Sequence, residues 1–382
     1  MAEVIKEWDG FELTAPPLNG AEPVRGLKRG RAVSAGELLA RHPNPLRGDV
    51  HAPCSGIVTE INEFEIIVQR GDQVVGEPPQ PRDLHSLNSD ELAAAFKELG
   101  LERPEVNPGD ALIINTLNPE PGLSFSAALF SEHIETMLAG VEAAMRLWPG
   151  RRVVWAVPDK WDAPAGEEFY VAKSAFPETF PTVLKKRITG FGGPVASGVL
   201  GGRELYFLGR IWRTGLPITR MVLSLGASSY FVPVGSRAAD LLTFANLYPH
   251  DDDVVVKGGL VRGTTLARLG RGLEKTASAL NLVRGPHGTG PMRHFQSANG
   301  SGREAAWAPK DCLGCGSCAH ACPVGLPVTS ASSLYPQLWL SGLARRLLDG
   351  CLACGACALA CPAGRPLISM LRLTFPEPEV WI

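Results

Sequence analysis

Cys312-Leu-Gly-Cys315-Gly-Ser-Cys318-Ala-His-Ala-Cys322-Pro323 is followed by Cys351-Leu-Ala-Cys354-Gly-Ala-Cys357-Ala-Leu-Ala-Cys361-Pro362. Both runs read C-x2-C-x2-C-x3-C-P, and eight of the chain's 9 cysteines are spent on them. A [4Fe-4S] cubane presents four irons that each need one thiolate. Three cysteines at x2 intervals wrap a short loop around one face of it, and in the paired arrangement the fourth ligand comes from the other run. The spacing therefore assigns Cys312, Cys315, Cys318 and Cys361 to one cluster, and Cys351, Cys354, Cys357 and Cys322 to a second. Each proline breaks the chain just after the remote ligand. Gly314 and Gly316 in one run, and Ala353, Gly355 and Ala356 in the other, are small enough for backbone to approach the sulfides. Zinc is the weaker reading, because it wants two separated CxxC pairs. Disulfides are weaker still, because they need an oxidising compartment. The runs CLGCGSCAHACPVGLP and CLACGACALACPAGRP match at most positions, which marks an internal duplication with pseudo-twofold symmetry.

Working outward, 382 residues allow two to four domains, and 45% apolar with 20% charged residues describes a folded chain. A net charge of −2 gives no bulk attraction to nucleic acid or an anionic membrane. No run approaches the roughly 18 apolar residues of a membrane span. The N-terminal MAEVIKEWDGFEL lacks an apolar export region, so a cytoplasmic setting is expected.

Residues 1–85 read as short strands and turns, with a strand pair over 51–72 punctuated by Gly56 and Gly71. It has the look of a lipoyl-type carrier hammerhead without the modifiable lysine, hence a structural module. Cys54 reads as a small buried hydrophobe. A capped helix is expected at 89–100, with Ser89 or Asp90 as N-cap and Gly100 as stop. A strand at 110–115, a helix at 130–147 with Ile134, Met137, Leu138, Val141 and Met145 on one face, and a strand at 152–157 form a βαβ unit. A helix or turn follows at 180–188. Strands at 221–226 and 230–235 surround a tight turn, Ser236 caps a helix to 246, and 254–257 is a further strand. Residues 284–308 read as linker and 330–348 as helix.

This order resembles the C subunit of the Rnf-type electron transport complex. The residues that carry the resemblance are HAPCSG at 51–56, Ile114-Asn115 with Glu120-Pro121 beyond, LKKRITG at 184–190, MVLSLG and YFVPVG at 221–226 and 230–235, and both cysteine runs. The resemblance covers nearly the whole chain and implies a multidomain α+β protein. Its parts would be a barrel-sandwich β module (1–88), a Rossmann-like flavin/NADH-type α/β domain (89–215), a β-grasp SLBB-like segment (216–283), a linker (284–308) and a mostly helical double [4Fe-4S] ferredoxin domain (309–382).

Departures from the family bear on its nucleotide chemistry. The family's glycine-rich GxGGAGFPT loop is replaced by DLHSLNSDELAAAFKELGLERPEVNPGDALI at 83–113. The acidic stretch after the strand is Thr116-Leu117-Asn118-Pro119-Glu120-Pro121, with Asn118 at an acidic position. The expectation is two [4Fe-4S] clusters without FMN or NADH. The chain reads as a relay subunit, peripheral on the cytoplasmic face of the cell membrane. Its partners would be membrane subunits of an Rnf-like complex and a ferredoxin or another redox protein, with no nucleic acid. Between 303 and 372, Arg303, Lys310, Arg345, Arg346, Arg365 and Arg372 outnumber Glu304, Asp311 and Asp349, which would steer an acidic carrier or simply solvate the surface. The alternatives are an FMN/NADH-dependent oxidoreductase with a non-standard nucleotide loop, and a scaffold that clusters only stabilise. His320 reads as a helix-surface residue.

Overall fold

The computed structural model describes residues 4–71, 78–102, 111–159, 161, 168–190, 197–251, 253–284, 311–333, 346–365 and 367. It is a mixed α/β molecule. A four-stranded, all-parallel sheet takes the spatial order Glu168–Val171, Arg152–Val157, Ala111–Asn115, Ser197–Gly201. All five residues of Ala111–Asn115 are buried, as a central parallel strand requires. In chain order this is 3-2-1-4, so the switch point lies between Ala111–Asn115 and Ser197–Gly201.

The helical layer corrects the expectation for 130–147. Two helices, Phe125–Glu132 and Ile134–Leu147, meet at His133. The second buries Met137, Gly140, Val141, Ala143, Ala144 and Leu147, and leaves Ile134, Leu138 and Met145 exposed. Its small residues set this face. A Cβ on Gly140 would lie 2.2 Å from the Leu205 carbonyl oxygen, and one on Gly209 would lie 1.8 Å from that of Thr136. The helix Gly202–Thr214 therefore crosses Ile134–Leu147 backbone to backbone, which larger side chains would prevent.

A six-stranded mixed sheet runs Lys6–Glu7, Ser228–Pro233, Arg220–Leu225, Ala279–Val283, Val254–Lys257, Thr264–Thr265. The hairpin of Arg220–Leu225 and Ser228–Pro233 agrees with the sequence, and the edge strand Lys6–Glu7 is contributed from the far N-terminus. The N-terminal β module pairs Leu13–Thr14, Ile66–Arg70, Gly56–Ile61 and Ala32–Val33 in one sheet, and Glu22–Pro23, Leu38–Arg41 and Val50–His51 in another. Cys54 is buried there, 3.8 Å from Thr14 Oγ1. One hydrophobic core runs through this module, both larger sheets and the helices.

Two caps differ from expectation. The helix Ser89–Glu98 is capped by Asn88, whose side chain accepts from the N–H groups of Asp90 and Glu91 while Glu91 reaches back to the Asn88 N–H. Ser236 donates its hydroxyl to Pro233 O instead of capping, and the helix Ala238–Phe244 follows Arg237. The expected linker falls almost wholly outside the described residues. So does most of the helix expected at 330–348, of which the described part begins earlier, as Val328–Ser333.

Candidate metal centre

The two cysteine runs fold as matching halves. Gly314 (φ 63°) is matched by Ala353 (φ 52°), Gly316 (75°) by Gly355 (77°), and Gly325 (68°) by Gly364 (64°). Left-handed backbone at these positions turns the chain so that each loop closes on its own cysteines. Gly316 and Gly355 then start the short helices Ser317–His320 and Ala356–Leu359, which carry Cys318 and Cys357.

Each half contributes to both of two recesses. The first is lined by Cys312, Cys315, Cys318 and Cys361, with Thr329, Ser332 and Arg365 in its wall. The second is lined by Cys322, Cys351, Cys354 and Cys357, with Leu326, Val328, Leu348 and Leu352. Backbone N–H groups already face the sulfurs. Gly314 donates to Cys312 Sγ, Ala353 to Cys351 Sγ and Leu326 to Cys322 Sγ, each at 3.4 Å. Such donors stabilise thiolate and sulfide charge.

The donor set fits a cubane in each recess. Zinc at about 2.3 Å from each sulfur would draw four sulfurs to within about 3.8 Å of one another. Among the described residues no three His, Cys, Asp or Glu side chains converge on a single-ion site.

The two recesses differ in surroundings. Around the first, Gly314 and Cys315 are exposed and Leu313 is 67% exposed. Around the second, Ala353, Cys354, Gly355 and Ala356 are buried. Hydrogen bonds act on the outer thiols: the Gly314 N–H holds Cys312 below the usual thiol range, and Ser317 does the same for Cys315. Burial pushes Cys351 up, Cys354 to about 11, and Cys357 well above the ordinary value. The inner loop is packed by the α/β layer. Phe180 and Val183 cluster with Cys354 and Ala356, and Thr182 Oγ1 donates to Leu352 O at 2.7 Å. His320 is exposed on its short helix.

Residues that carried the nucleotide side of the resemblance are engaged within the chain. Asn118 Oδ1 accepts from the Ser126 N–H at 3.0 Å, at the start of Phe125–Glu132. Glu120 Oε2 accepts from the N–H groups of Val261 and Arg262 at 3.0 and 2.9 Å, and the Leu260 N–H donates to Pro121 O at 2.8 Å. Three successive N–H groups thus enclose this acidic loop, as in an anion nest. Gly259 permits the approach, since a Cβ there would lie 2.1 Å from the Glu120 carboxyl carbon. At the switch point, Glu204 is paired with Arg203. A Cβ on Gly201, at the head of the helix Gly202–Thr214, would lie 2.7 Å from its carboxylate. In the sequence Gly201-Gly202 and Gly258-Gly259 read as turns, which hides these contacts, and Arg365 reads only as one of six basic residues near the clusters.

Residues 311–365 match the 4Fe-4S dicluster domain, a two-cluster iron–sulfur class of protein segment. Beyond that segment, the chain is similar to the C subunits of ion-translocating oxidoreductase complexes. It is 25% identical over 326 residues to that of Serratia proteamaculans, covering 72% of this chain and 44% of that protein. It is 26% identical over 348 residues to that of Pectobacterium atrosepticum, covering 77% and 48%. It is 21% identical to the C subunit of the proton-translocating ferredoxin:NAD(+) oxidoreductase complex of Clostridium ljungdahlii, covering 82% and 76%. The chain spans about half the length of the first two. A crystal structure of an NAD+-reducing [NiFe]-hydrogenase overlaps with a TM-score of 0.40 at 15% identity, covering 73% of this chain and 57% of that one. No helix among the described residues is long and apolar enough to cross a membrane.

Proposed function

We propose that this chain is an electron-transfer subunit of an Rnf-type complex, passing single electrons through two [4Fe-4S] clusters. Cys312, Cys315, Cys318 and Cys361 hold the outer cluster; Cys322, Cys351, Cys354 and Cys357 hold the inner one. The observation that carries this reading is the pair of recesses, each walled by three cysteines of one run and the fourth of the other. The names of the relatives support placement in a multi-subunit membrane complex. The chain would sit peripherally on the cytoplasmic face, with a ferredoxin or another redox protein as its exchange partner. In this reading residues 1–88 are a barrel-sandwich module, 89–215 a degenerate flavin/NADH-type domain, 216–283 an SLBB-like segment, 284–308 a linker and 309–382 the dicluster domain.

The relay works without FMN or NADH of its own. Asn118, Glu120 and Glu204, which lie where nucleotide contacts would be sought, are spent on the chain's own backbone and on Arg203. Anaerobic calorimetry should therefore show no NADH binding, and micromolar affinity would overturn this part. For the clusters the test is Cys361→Ser, which should remove the EPR signal of the outer cluster, the one Cys315→Ser also removes. Loss confined to the cluster of Cys354 would refute the crossed ligation.

A further inference from the structure

The duplication is broken at one position where the change faces a cluster. Aligning Cys322-Pro-Val-Gly-Leu326-Pro with Cys361-Pro-Ala-Gly-Arg365-Pro sets Leu326 against Arg365. The local backbone is the same in both halves. Val328 N–H donates to Leu326 O at 2.8 Å, and Leu367 N–H to Arg365 O at 2.8 Å. Leu326 lies in the wall of the inner recess and Arg365 in the wall of the outer one. Arg365 is 5% exposed. One guanidinium nitrogen donates to Ser332 O at 2.6 Å, which fixes the head group. Its Nε is buried and has no hydrogen-bond partner among the described residues. A buried guanidinium with an idle donor is costly to hold unless an anion faces it.

We propose that Arg365 is a positioning residue that sets the outer cluster at the higher reduction potential, by presenting its charge and its Nε–H to that cluster. The inference rests on the two-cluster reading above. Reduction adds one negative charge to an already anionic cluster, so a fixed cation and an N–H···S donor favour the reduced form. The inner cluster has the opposite surroundings, with Leu326, Val328, Leu348 and Leu352 and a buried ligand loop, all of which disfavour added charge. One cation does approach the inner loop. The Arg262 guanidinium lies 5.1 Å from the centroid of the Phe180 ring, which itself clusters with Cys354, but Arg262 is half-buried. Solvent screens it more than the enclosed Arg365. The downhill step then runs from inner to outer cluster: the inner one gives up one electron and returns to its oxidised form as the outer one takes it, with no proton moved. A one-electron carrier protein of the complex supplies the electron inside, and a second one collects it at the exposed end beside Cys315 and Leu313.

The test is an EPR-monitored redox titration of the whole anaerobic protein, with dithionite as reductant and the outer signal assigned by its loss in Cys315→Ser. The native outer cluster should be reduced first. Arg365→Gln, which removes the charge and whose amide nitrogen ends two bonds short of the nitrogen that donates to Ser332 O, should make outer-cluster reduction about ten-fold less favourable, a fall of about 59 mV for one electron. The inner midpoint should not move, and Arg365→Lys should restore part of the fall. Leu326→Arg gives an independent arm: it should raise the inner midpoint with iron content unchanged. An outer midpoint unmoved in Arg365→Gln, with both clusters present, overturns the inference and leaves the relay standing. So does a native protein whose inner cluster is reduced first. A native protein without two clusters overturns the relay and the inference together.

Discussion

His51 is the residue at which the N-terminal module is most exposed to pH. It is 7% exposed, its Nδ1 has no hydrogen-bond partner among the described residues, and its pKa falls from 6.5 to about 4. Burial is the main cause, the Lys275 ammonium adds to it, Asp49 opposes it, and Arg41 lowers it slightly. Lys275 itself is fixed by the carbonyls of Gly48, Asp49 and Gly100 at 2.8–3.0 Å, so it cannot swing away. The unfolded chain takes up the His51 proton near pH 6.5 and the folded chain only near 4. Stability is therefore lost as pH falls through that window, by about 3 kcal/mol at 1.36 kcal/mol per pH unit. Hydrogen exchange should show the strands Leu38–Arg41 and Val50–His51 losing protection between those pH values. In His51→Gln the protection should be flat across the window; an equal loss there would assign the effect to another group. The motif HAPCSG marked this place in the sequence, but not its chemistry, because Lys275 reaches it from more than two hundred residues away.

At the scale of elements, close backbone approach decided what periodicity alone misjudged. The spacing of Ile134, Leu138 and Met145 resembles a buried stripe, yet these residues face outward because Gly140, Ala143 and Ala144 are needed at the crossing with Gly202–Thr214. The strands 110–115, 152–157 and 254–257 were legible because a buried parallel or central strand is a near-continuous apolar run. Glu168–Val171 is an edge strand with Phe169 and Val171 exposed, and so carried no such signal. The helix Gly202–Thr214 was missed because its first residues read as a turn. Gly209→Ala tests the crossing. Its Cβ would fall inside the Thr136 carbonyl, so the helices must separate, at a cost of about 1–3 kcal/mol. Gly270 has open space around it, and Gly270→Ala should stay within about 0.5 kcal/mol of the parent in urea denaturation. Equal effects from the two substitutions would mean that the crossing has slack.

For the whole molecule, the dicluster segment is joined to the parallel sheet along a short chain of contacts. Asn115, at the end of the central strand, donates to Thr179 O at 3.1 Å; Phe180 and Val183 then pack on Cys354 and Ala356, and Val261 packs with Cys318 and Cys357. The cysteine spacing made the two ligand sets readable in advance, because local spacing dictates local wrapping. It could not say which half would be covered, because near-identical runs leave that choice to distant residues such as Val183. The covered half should be the oxygen-resistant one. Val183 is 1% exposed, and Val183→Asp puts a carboxylate into the packing against Cys354, which costs burial and favours separation of the two surfaces. On exposure to air, EPR of the native protein should show the outer cluster lost first. In Val183→Asp the inner cluster should decay at close to the outer rate while the outer rate is unchanged. Inner decay as slow as in the native protein would mean that the α/β layer does not shield it, and that its protection comes from the leucines of its own recess.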